Sequence, residues 1–515
     1  MAQGLLRYQY EVDERDSGAT ALAGLPVALD LAVVSGLVAA IDERLGLRKR
    51  GWPDRVVVLS LILLNLAGGD GVEDVGGLAG DAGLHRLLRH AFLHGLPRAE
   101  RKRLRRQMRR SGENAVPSPD SVGRYLKRFH DPDQGALREP GVAFVPQPNE
   151  ALRALYEVNT ELLRCAQQRQ PLEHATLDMD ATLVETHKRD AFFCYKKFRA
   201  YQPLQTYWAE REMLVHSEFR DGNVPAGYQQ LRVLQEALEM LPAGIASASL
   251  RSDSAGYQVE LLRYCAEGRN ERFGVVDFAV SADVTTALRA AVDELREEDW
   301  QPLYRDIGEG HRLETGQEFA ELVYVPNWAG HSKSGPEYRF LAIREPIQGD
   351  LPGLESHAQK ELPFQTVTAP TGQRHKLFAL VTNRPATEIG GGELIWWHRQ
   401  RCGKSEQAHA IMKNDLAGGR LPSELFGANA AWWGIMVLAF NLLALLRRLA
   451  LPEEMASCRL KALRFRLFAI AGRVVKHSRQ LRIRVFAGNR AAALLAAVRE
   501  RLAELAQPPP EPSRS

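Results

Sequence analysis

Apolar and polar residues alternate along the stretch Ala175–Thr182, whose sequence is ATLDMDAT. Leu177 and Met179 alternate with Asp178 and Asp180, and a period of two is typical of a β-strand. The pattern therefore predicts a strand with apolar side chains on one face and two carboxylates on the other. Taken alone, the stretch fits an edge strand with two solvated aspartates at least equally well.

Two further acids change this interpretation. An apolar run ends at Leu250–Gly256 (LRSDSAG), where Asp253 precedes a turn, and Glu406 lies in a stretch with helical periodicity. A carboxylate within a sheet is costly to bury and needs a cation or a network of donors. Strand-borne aspartates and a helix-borne glutamate together form an all-oxygen site, which suits Mg²⁺. Asp178 and Asp180 share one strand face, so periodicity does not decide between them.

The order of the predicted elements defines the fold class. Helical patterns over 27–45, 54–66 and 72–88 precede the first acidic strand. The next predicted strands are 192–198, 213–219, 247–252 and 273–280, and the predicted helices are 149–169, 227–241, 256–267 and 284–295. Three consecutive strands followed by alternating helices and strands, with acids on the first and fourth strands, is the order of a ribonuclease-H-like α/β core.

Residues 297–375 interrupt this core. Short alternating apolar pieces separated by Gly and Pro predict an inserted β-rich subdomain, since no single crossover needs a connection of this length. A core strand is predicted at 376–382, and one long helix at 393–416. On that helix, spacings of three and four place six residues along one side, namely Arg399, Cys402, Glu406, His409, Ala410 and Lys413.

Positive charge is concentrated in two neighbouring segments, although the net charge of the chain is only +4. The segment 97–112 (PRAERKRLRRQMRRSG) is rich in Arg and Lys, and such a run is commonly a solvated helix. The segment 117–129 opens with residues typical of a helix start and carries basic residues on one face. This second basic surface favours phosphate binding as the role of the two segments 97–112 and 117–129. The candidate DNA contacts are Arg105, Arg106, Arg124, Lys127 and Arg128.

These patterns divide the chain into five parts. They are a helical N-terminal DNA-binding region (1–148), the first part of the catalytic core (149–296), the β-rich insertion (297–375), a core strand with the Glu406 helix (376–425) and a C-terminal helical region (426–515). In the last part, Asn441 interrupts an apolar run over 430–446, which we expect to be a buried core helix rather than a membrane span. Five cysteines without CxxC spacing argue against a zinc site or a disulfide framework and favour a reducing cytoplasm.

Several motifs around these acids resemble a known family. The stretches LDMDAT (177–182), YQPL (201–204), FRDGN (219–223), LRSDSAGY (250–257) and RQRCGKSEQAHAIMKNDLAGG (399–419) resemble the DDE transposases of bacterial insertion sequences. The resemblance is to the insertion-sequence thirteen-eighty family of the IS-four-like group. It implies a ribonuclease-H-like catalytic domain, a β-strand insertion before the glutamate, and cut-and-paste transposition with Mg²⁺, for which Mn²⁺ can substitute. It assigns the catalytic and metal-binding acids to Asp180, Asp253 and Glu406, with Asp178 as a rival for the first place.

The group also carries an aromatic residue, an Arg and a Lys around its catalytic glutamate. Lys413 lies seven residues after Glu406, where the Lys is expected. Cys402 occupies the Arg position, so Arg401 is the nearest candidate, and Arg399 occupies the aromatic position. The resemblance implies that Lys413 and, as the nearest arginine, Arg401 contact DNA phosphates, and Arg399, on the same predicted side of the helix, is a further candidate DNA contact.

Such a site suggests a mechanism. Three carboxylates can hold two Mg²⁺ about 3.5–4 Å apart and so stabilise the attacking and leaving oxygens of an in-line displacement. Water would first free a 3′-OH at the element end, and that 3′-OH would then attack target DNA. The expected partners are the terminal inverted repeats and target DNA, with no membrane, and a homodimer on DNA because two ends must be joined. The expected location is the bacterial cytoplasm, in association with the nucleoid. Trp396 or Trp397 could stack a displaced base, although core packing is the commoner role of such a pair.

Two alternatives stay open at this point. A metal-dependent nuclease on the same core would hydrolyse nucleic acid without joining it, and a catalytically silent relative would keep only DNA recognition. Paired carboxylates are also found in glycosidases, but the surrounding Lys and Arg favour an anionic substrate.

Overall fold

The computed structural model describes residues 18–47, 51–308, 311–329, 336–347, 364–478, 480–486, 488 and 490–507. Contacts between residues divide the chain into two compact units. The first contains the residues up to 34, residues 46–125 and the residues from 446 onward, and the second contains 35–45 and 126–445. The five-part division of the sequence stays a prediction.

Short helices dominate the chain before the core. In order, the elements are β1 (Ala19–Thr20), α1 (Pro26–Val34), α2 (Leu37–Arg44), α3 (Asp54–Ala67), α4 (Val75–Gly80), α5 (Ala82–Leu93), α6 (Arg98–Arg110), α7 (Pro119–Leu126) and α8 (Pro132–Ala136). The single helix predicted over 27–45 is wrong, because Gly36 has a φ of 81° and separates α1 from α2. The single helix over 72–88 is also wrong. Asp81 starts a new helix there by accepting a hydrogen bond from the Leu84 N–H at 2.8 Å.

Strands and helices alternate through the second unit. They are α9 (Glu150–Arg169), β2 (His174–Ala181), β3 (Val184–Glu185), β4 (Ala200–Tyr201), β5 (Leu204–Trp208), β6 (Met213–Glu218), α10 (Gln230–Met240), β7 (Ser247–Ser252), α11 (Val259–Ala266), β8 (Asp277–Ala282), α12 (Thr286–Asp293), β9 (Gln301–Asp306), β10 (Arg312–Leu322), β11 (Arg339–Pro346), β12 (Thr366–Thr368), β13 (Arg374–Thr382), α13 (Gly391–Arg399) and α14 (Arg401–Ala410). The prediction of β7 is confirmed to the residue. The fold is mixed α/β.

One large mixed sheet organises this unit. Nine strands follow the order β6-β5-β2-β7-β8-β13-β11-β10-β9, and β12 pairs with β13 beside them. β2 is antiparallel to β5 and parallel to β7, and β7 is parallel to β8. The strand that carries Asp178 and Asp180 therefore lies directly beside the strand that ends at Asp253.

The second core strand differs from the prediction. The structure places it at β5, whereas 192–198 forms a tight turn in which the Cys194 N–H donates to the Phe198 carbonyl at 2.8 Å. Lys197 adopts a φ of 65° within this turn, a conformation that no strand contains. Aromatic residues raise the local strand signal, but here Phe193 and Tyr195 are exposed rather than paired into a sheet.

The predicted insertion is rich in strands, as expected, but it is not a separate subdomain. β11 pairs with β13 along its whole length, from Arg339 opposite Thr382 to Pro346 opposite His375. β13 in turn pairs antiparallel with β8, so the inserted strands extend the core sheet. The reason is that β13 pairs along both of its edges, with β8 of the core on one edge and with β11 of the insertion on the other.

The chain ends with further helices and a hairpin. They are α15 (Phe426–Leu449), α16 (Glu453–Ala456), α17 (Leu460–Leu463), β14 (Gly472–His477), β15 (Gln480–Val485) and α18 (Arg490–Leu505). The predicted C-terminal helical region therefore also contains strands that were not predicted, since β14 pairs with β15 on one side and with β1 on the other.

Helix α15 is long and apolar enough to cross a membrane, but its most apolar window is 100% buried within the protein. In the described part of the chain, α3 and the segment Val72–Gly80 pass the same test only when joined across a bend of 97°. Asn441, the polar residue that interrupts the apolar run of α15, is hydrogen-bonded through its side chain. Asn441 accepts a hydrogen bond from the Leu214 N–H at 2.8 Å and donates to the side chain of Asn159 at 2.7 Å. The prediction of a buried core helix is confirmed.

Candidate active site

Strand β2 carries two aspartates in different environments. Asp178 is buried and lies opposite Arg251 of β7 in the parallel register. Its Oδ1 accepts from Arg251 Nε at 2.6 Å, and its Oδ2 accepts from Arg251 Nη2 at 2.9 Å. Burial raises the pKa of Asp178, and the paired guanidinium opposes that rise. Both oxygens of Asp178 are thus occupied by a structural ion pair.

Asp180 lies two residues further along and is accessible, with 19% of its side chain exposed. Burial, and then the nearby carboxylate of Asp253, raise the pKa of Asp180 to about 6, and Glu406 adds to this rise. Arg401 acts in the opposite direction. Asp253 and Glu406, the other two acids predicted from the sequence, are therefore close enough in the structure to disfavour the ionisation of Asp180.

Asp253 follows β7 directly, at the edge where the parallel strands end. Its Oδ1 accepts a hydrogen bond from the Ala255 N–H at 3.0 Å and so starts the turn over Ser254–Gly256. The buried His398 of α13 lies 3.0 Å from the Ser252 carbonyl through its Nε2. Burial lowers the pKa of His398 to about 3, which keeps this ring neutral. β7 therefore ends in a braced turn that holds Asp253 beside Asp180.

Glu406 lies after a break in its helix. Cys402 and Gly403 have non-helical backbone angles, and the φ of Gly403 is 94°. The prediction of one helix over 393–416, with Arg399 and Glu406 on a common side, is therefore wrong. A glycine in this conformation turns the chain between α13 and the part of α14 that carries Glu406. After Ala410 the chain continues as a π-helical turn, Ile411–Asp415.

Three nitrogen-bearing side chains surround Asp180. Arg401 Nη1 lies 3.8 Å from Asp180 Oδ2, and His409 Nδ1 lies 3.9 Å from the same oxygen. Burial lowers the pKa of His409 to about 4, so its imidazole is neutral at neutral pH. Burial also lowers the pKa of Lys413, while Asp180 raises it. Two cations and one neutral imidazole therefore lie beside an acid whose ionisation is disfavoured.

Arg399 does not join this group. Its guanidinium lies 5.2 Å from the ring centre of Trp396. Burial lowers the pKa of Arg399, and Cys402 and Glu345 oppose that change. The prediction that Arg399 flanks Glu406 fails for the same reason as the single long helix.

The donor set suits a divalent cation in its chemistry, because Asp253 and Glu406 raise the pKa of Asp180 and a positive ion would stabilise its ionised form. Among the described residues, however, no group of three or more His, Cys, Asp or Glu side chains is arranged to hold a metal ion as it stands. Asp180, Asp253 and Glu406 thus lie near one another but do not form a ready-made set of metal ligands.

Comparison with family models decides the kind of protein. The model for the transposase DDE domain, group 1, matches residues 104–328 and 364–507, which is well over half of the chain. The chain belongs to this DDE transposase family. Comparison with curated proteins gave no match. Among solved structures, a cryo-EM structure of a piggyBac transposase synaptic complex with hairpin DNA is similar, with a TM-score of 0.37 and 9% sequence identity. That match covers 96% of this chain and 87% of the piggyBac chain.

The two tryptophans near the end of α13 are packing residues in this DDE transposase. Trp396 donates from Nε1 to the Tyr304 carbonyl at 2.6 Å. The ring of Trp397 lies between two guanidinium groups, 5.5 Å from Arg251 and 5.2 Å from Arg384. Both rings are partly buried and packed against the hydrophobic core, so core packing describes this pair.

The predicted DNA contacts of the transposase lie on exposed surfaces. In α6, Leu104 and Met108 are buried while Arg105 and Arg106 are exposed. Helix α7 ends at Leu126 and continues directly as a 3-10 turn, and the prediction that Arg124, Lys127 and Arg128 contact DNA stays a prediction. All three are exposed, but Lys127 and Arg128 belong to a 3-10 turn, Lys127–Phe129. Arg124 also falls in the first unit and the other two in the second.

Several residues that support the site had no role assigned from the sequence. Arg251 stands inside the motif LRSDSAGY, where an arginine next to an acidic strand was a usable signal. Asp221, in FRDGN, accepts two hydrogen bonds of 2.7 Å from Arg138, and Asn223 donates to the Val142 carbonyl at 2.9 Å. The segment before α9, which contains Arg138 and Val142, is thus fastened to the rest of the second unit.

Proposed function

We propose that this member of the DDE transposase family is an active transposase with a ribonuclease-H-like catalytic core. It would cleave DNA at transposon ends with water and transfer the freed 3′-OH into target DNA. The observation that carries the proposal is the grouping of Asp180, Asp253 and Glu406 at one edge of the sheet, beside Arg401 and Lys413. Family membership itself implies phosphoryl transfer.

In this proposal each side chain has a separate task. Asp180, Asp253 and Glu406 would hold divalent metal, Mg²⁺ with Mn²⁺ as a substitute. The bound metal would supply activation of the attacking oxygen and stabilisation of the leaving oxygen. Arg401 and Lys413 would bind non-bridging phosphate oxygens, since a guanidinium and an ammonium both donate to them. His409, neutral at working pH, would donate or accept one hydrogen bond without adding charge.

The finer identity rests on the motifs. RSDSAG and RCGKSEQAH support the insertion-sequence thirteen-eighty family and thus a bacterial origin, and the five free cysteines support a reducing, cytoplasmic location near the nucleoid. The proposed DNA partners are terminal inverted repeats and target DNA. Since two ends must be joined, we propose a homodimer on DNA.

The test is the variant Asp253→Asn, assayed for Mg²⁺-dependent cleavage of DNA that carries the element ends. The loss of one ligand charge should abolish cleavage while folding and end binding stay intact. The matched control is Asp283→Asn, because Asp283 follows the neighbouring parallel strand β8 and is exposed. Full cleavage by the Asp253 variant contradicts the assignment.

A strand-transfer assay on the same DNA distinguishes a transposase from a nuclease. Joined products are expected with a pre-cleaved 3′-OH end and Mg²⁺. Hydrolysis without any joined product would favour the nuclease. DNA binding without cleavage by the wild-type protein would indicate a silent relative.

A further inference from the structure

The tight turn at 192–198 presents aromatic side chains to solvent. We name this segment, FFCYKKF, the aromatic tip. Tyr195 is 73% exposed and Phe193 is 58% exposed. Lys196 and Lys197 are also exposed, and the tip contains no acidic residue. Exposed aromatic rings beside lysines are the combination that proteins use to bind single-stranded nucleic acid.

The aromatic tip is rigidly held at its base. The Ala200 N–H donates to the Phe192 carbonyl at 3.0 Å, and the Lys197 N–H donates to the Cys194 carbonyl at 2.9 Å. Arg199 donates to the Arg189 carbonyl at 2.8 Å, and its guanidinium lies 4.8 Å from the ring centre of Phe193. A turn whose backbone is ordered before binding loses little backbone conformational entropy when it meets a ligand.

Arg138 fastens the preceding residues as well. It donates to the Asp190 carbonyl at 2.7 Å, and its guanidinium lies 5.0 Å from the ring centre of Phe192. The exposure of Tyr195 and Phe193 is therefore a property of a braced turn.

The aromatic tip also lies beside the candidate active site. The chain passes from Asp180 through Leu183, whose carbonyl lies 3.5 Å from the Nζ of Lys413. Lys196 is close enough to contribute to the lowered pKa of Lys413, after the larger effect of burial. Asp180 acts on the same ammonium group in the opposite direction. Leu183 leads directly into β3, which pairs with β4 at the base of the tip, and both Asp180 and Lys196 lie within electrostatic range of Lys413.

We propose that the aromatic tip binds an unpaired base of a DNA end next to the scissile phosphate, with Tyr195 stacking on the base. Lys196 contacts a neighbouring phosphate. The proposal rests on the proposed function, because that function places a DNA end at Asp180. It assigns to the tip the base-stacking role suggested for Trp396 or Trp397, whose rings are packed against the hydrophobic core. The ligand class is an unpaired nucleotide, and the stack does not depend on base identity.

The experiment measures binding of the full-length protein to two probes in a chelator, so that no cleavage occurs. One probe is a blunt duplex, and the other is the same duplex with a short single-stranded extension whose first unpaired base is 2-aminopurine. The wild-type protein should bind the extended probe more tightly and quench its fluorescence. Tyr195→Ala should lose about 5- to 150-fold of that preference, since one base stack contributes ~1–3 kcal/mol. Its affinity for the blunt duplex should not change.

Three matched variants define the result. Tyr195→Phe keeps the ring and should keep the preference. Phe465→Ala removes an aromatic side chain that is 81% exposed in the first unit, and it should change nothing. Lys196→Gln should weaken binding of both probes and lower the salt dependence, because the substitution removes one cation from the DNA backbone.

Equal binding of the two probes by the wild-type protein, or an unchanged preference in Tyr195→Ala, overturns the proposal. If Tyr195→Ala instead alters self-association in sedimentation and leaves the DNA preference intact, the aromatic tip is a protein contact and the proposal is also overturned. These results are independent of the Asp253→Asn test. Cleavage without a base preference removes only the tip's role, whereas a base preference without cleavage removes only the catalytic assignment.

Discussion

At the scale of single residues, two aspartates that look alike in the sequence have different partners. Asp178 and Asp180 share a strand face, but only Asp178 has an arginine opposite it on β7. The pair with Arg251 is buried on both sides, with 0% and 2% of the two side chains exposed. Asp180 lacks such a bidentate pair and instead faces Asp253 and Glu406. The two carboxylates differ in which neighbour each meets, and this difference supports the proposal that Asp180 rather than Asp178 is reactive.

Asp180→Asn should abolish Mg²⁺-dependent cleavage and leave the free energy of unfolding unchanged or higher. The reason is that burial and two other acids already disfavour the ionised form of Asp180, so an uncharged amide relieves repulsion. Cleavage assays and urea unfolding of the same preparation check both parts. A variant that still cleaves while Asp178→Asn does not would exchange the two assignments.

Asp178→Asn should lower the free energy of unfolding by about 3–5 kcal/mol, because it leaves the Arg251 guanidinium buried without its counter-charge. Urea unfolding measures the loss. The double variant Asp178→Leu, Arg251→Met removes both charges and should recover part of the stability. If Asp178→Asn is as stable as the wild-type protein, the ion pair is not a structural element.

At the scale of elements, the break at Cys402 and Gly403 decides which side chains meet Asp180. A continuous helix would carry Arg399 and Glu406 on one side, whereas the break brings Arg401 to Asp180 and leaves Arg399 on Trp396. In the sequence, this break was indicated by Gly403, which lies between Cys402 and Lys404. Helical periodicity on both sides concealed it.

Gly403→Ala should lower stability by about 1–2 kcal/mol or more and reduce cleavage, because a Cβ strains a residue at a φ of 94°. A Cβ at this position meets nothing within 4 Å, so the effect comes from the backbone alone. Gly76→Ala is the control. It also meets nothing within 4 Å but lies in helix α4, so it should stabilise by about 0.5–1 kcal/mol. Opposite shifts of the urea midpoint are expected, and equal shifts would contradict the role of the break.

At the scale of the whole molecule, a net charge of +4 conceals a strongly basic helix. In α6 the apolar Leu104 and Met108 are buried, while the arginines on the other sides are exposed. Long-range attraction of DNA depends on such local surfaces more than on the net charge.

Replacing Arg105, Arg106 and Arg109 with Gln should weaken DNA binding and reduce the slope of log affinity against log salt concentration. The expected reduction is about 0.9 for each phosphate that the variant no longer neutralises. The control removes three charges at Arg164, Arg269 and Arg296, which are paired with carboxylates in the second unit. It should leave the slope unchanged. If the three substitutions in α6 leave the slope of log affinity against log salt concentration unchanged, α6 is an ordinary solvated helix.

Local pattern was sufficient where an element depends on its own residues. β7 and the capped helix α9 follow directly from alternation and from Asn149 before an apolar periodic run. Pairing between distant segments was not visible, so the place of β9–β11 in the core sheet was missed. Turn geometry was missed as well, because the strand propensity of aromatic residues outweighed the φ of Lys197 at the aromatic tip. Asp180, Asp253 and Glu406 could be proposed from the sequence because each follows or lies within a strong local signal. The role of Arg251 could not, because it depends on the register between β2 and β7.

The pairing of β13 has a consequence for protein engineering. An inserted segment that folds by itself can be exchanged between relatives as a cassette, with only its two junctions to repair. Here β13 closes the segment and also supplies the neighbour of β8 through Ala379–Thr382. A chimaera that takes foreign residues for 297–373 must keep Arg374–Thr382 from this chain and must supply a strand that pairs with β13 as Arg339–Pro346 does. Deletion of the segment would leave β13 with one bare edge, which is a template for aggregation rather than a smaller enzyme.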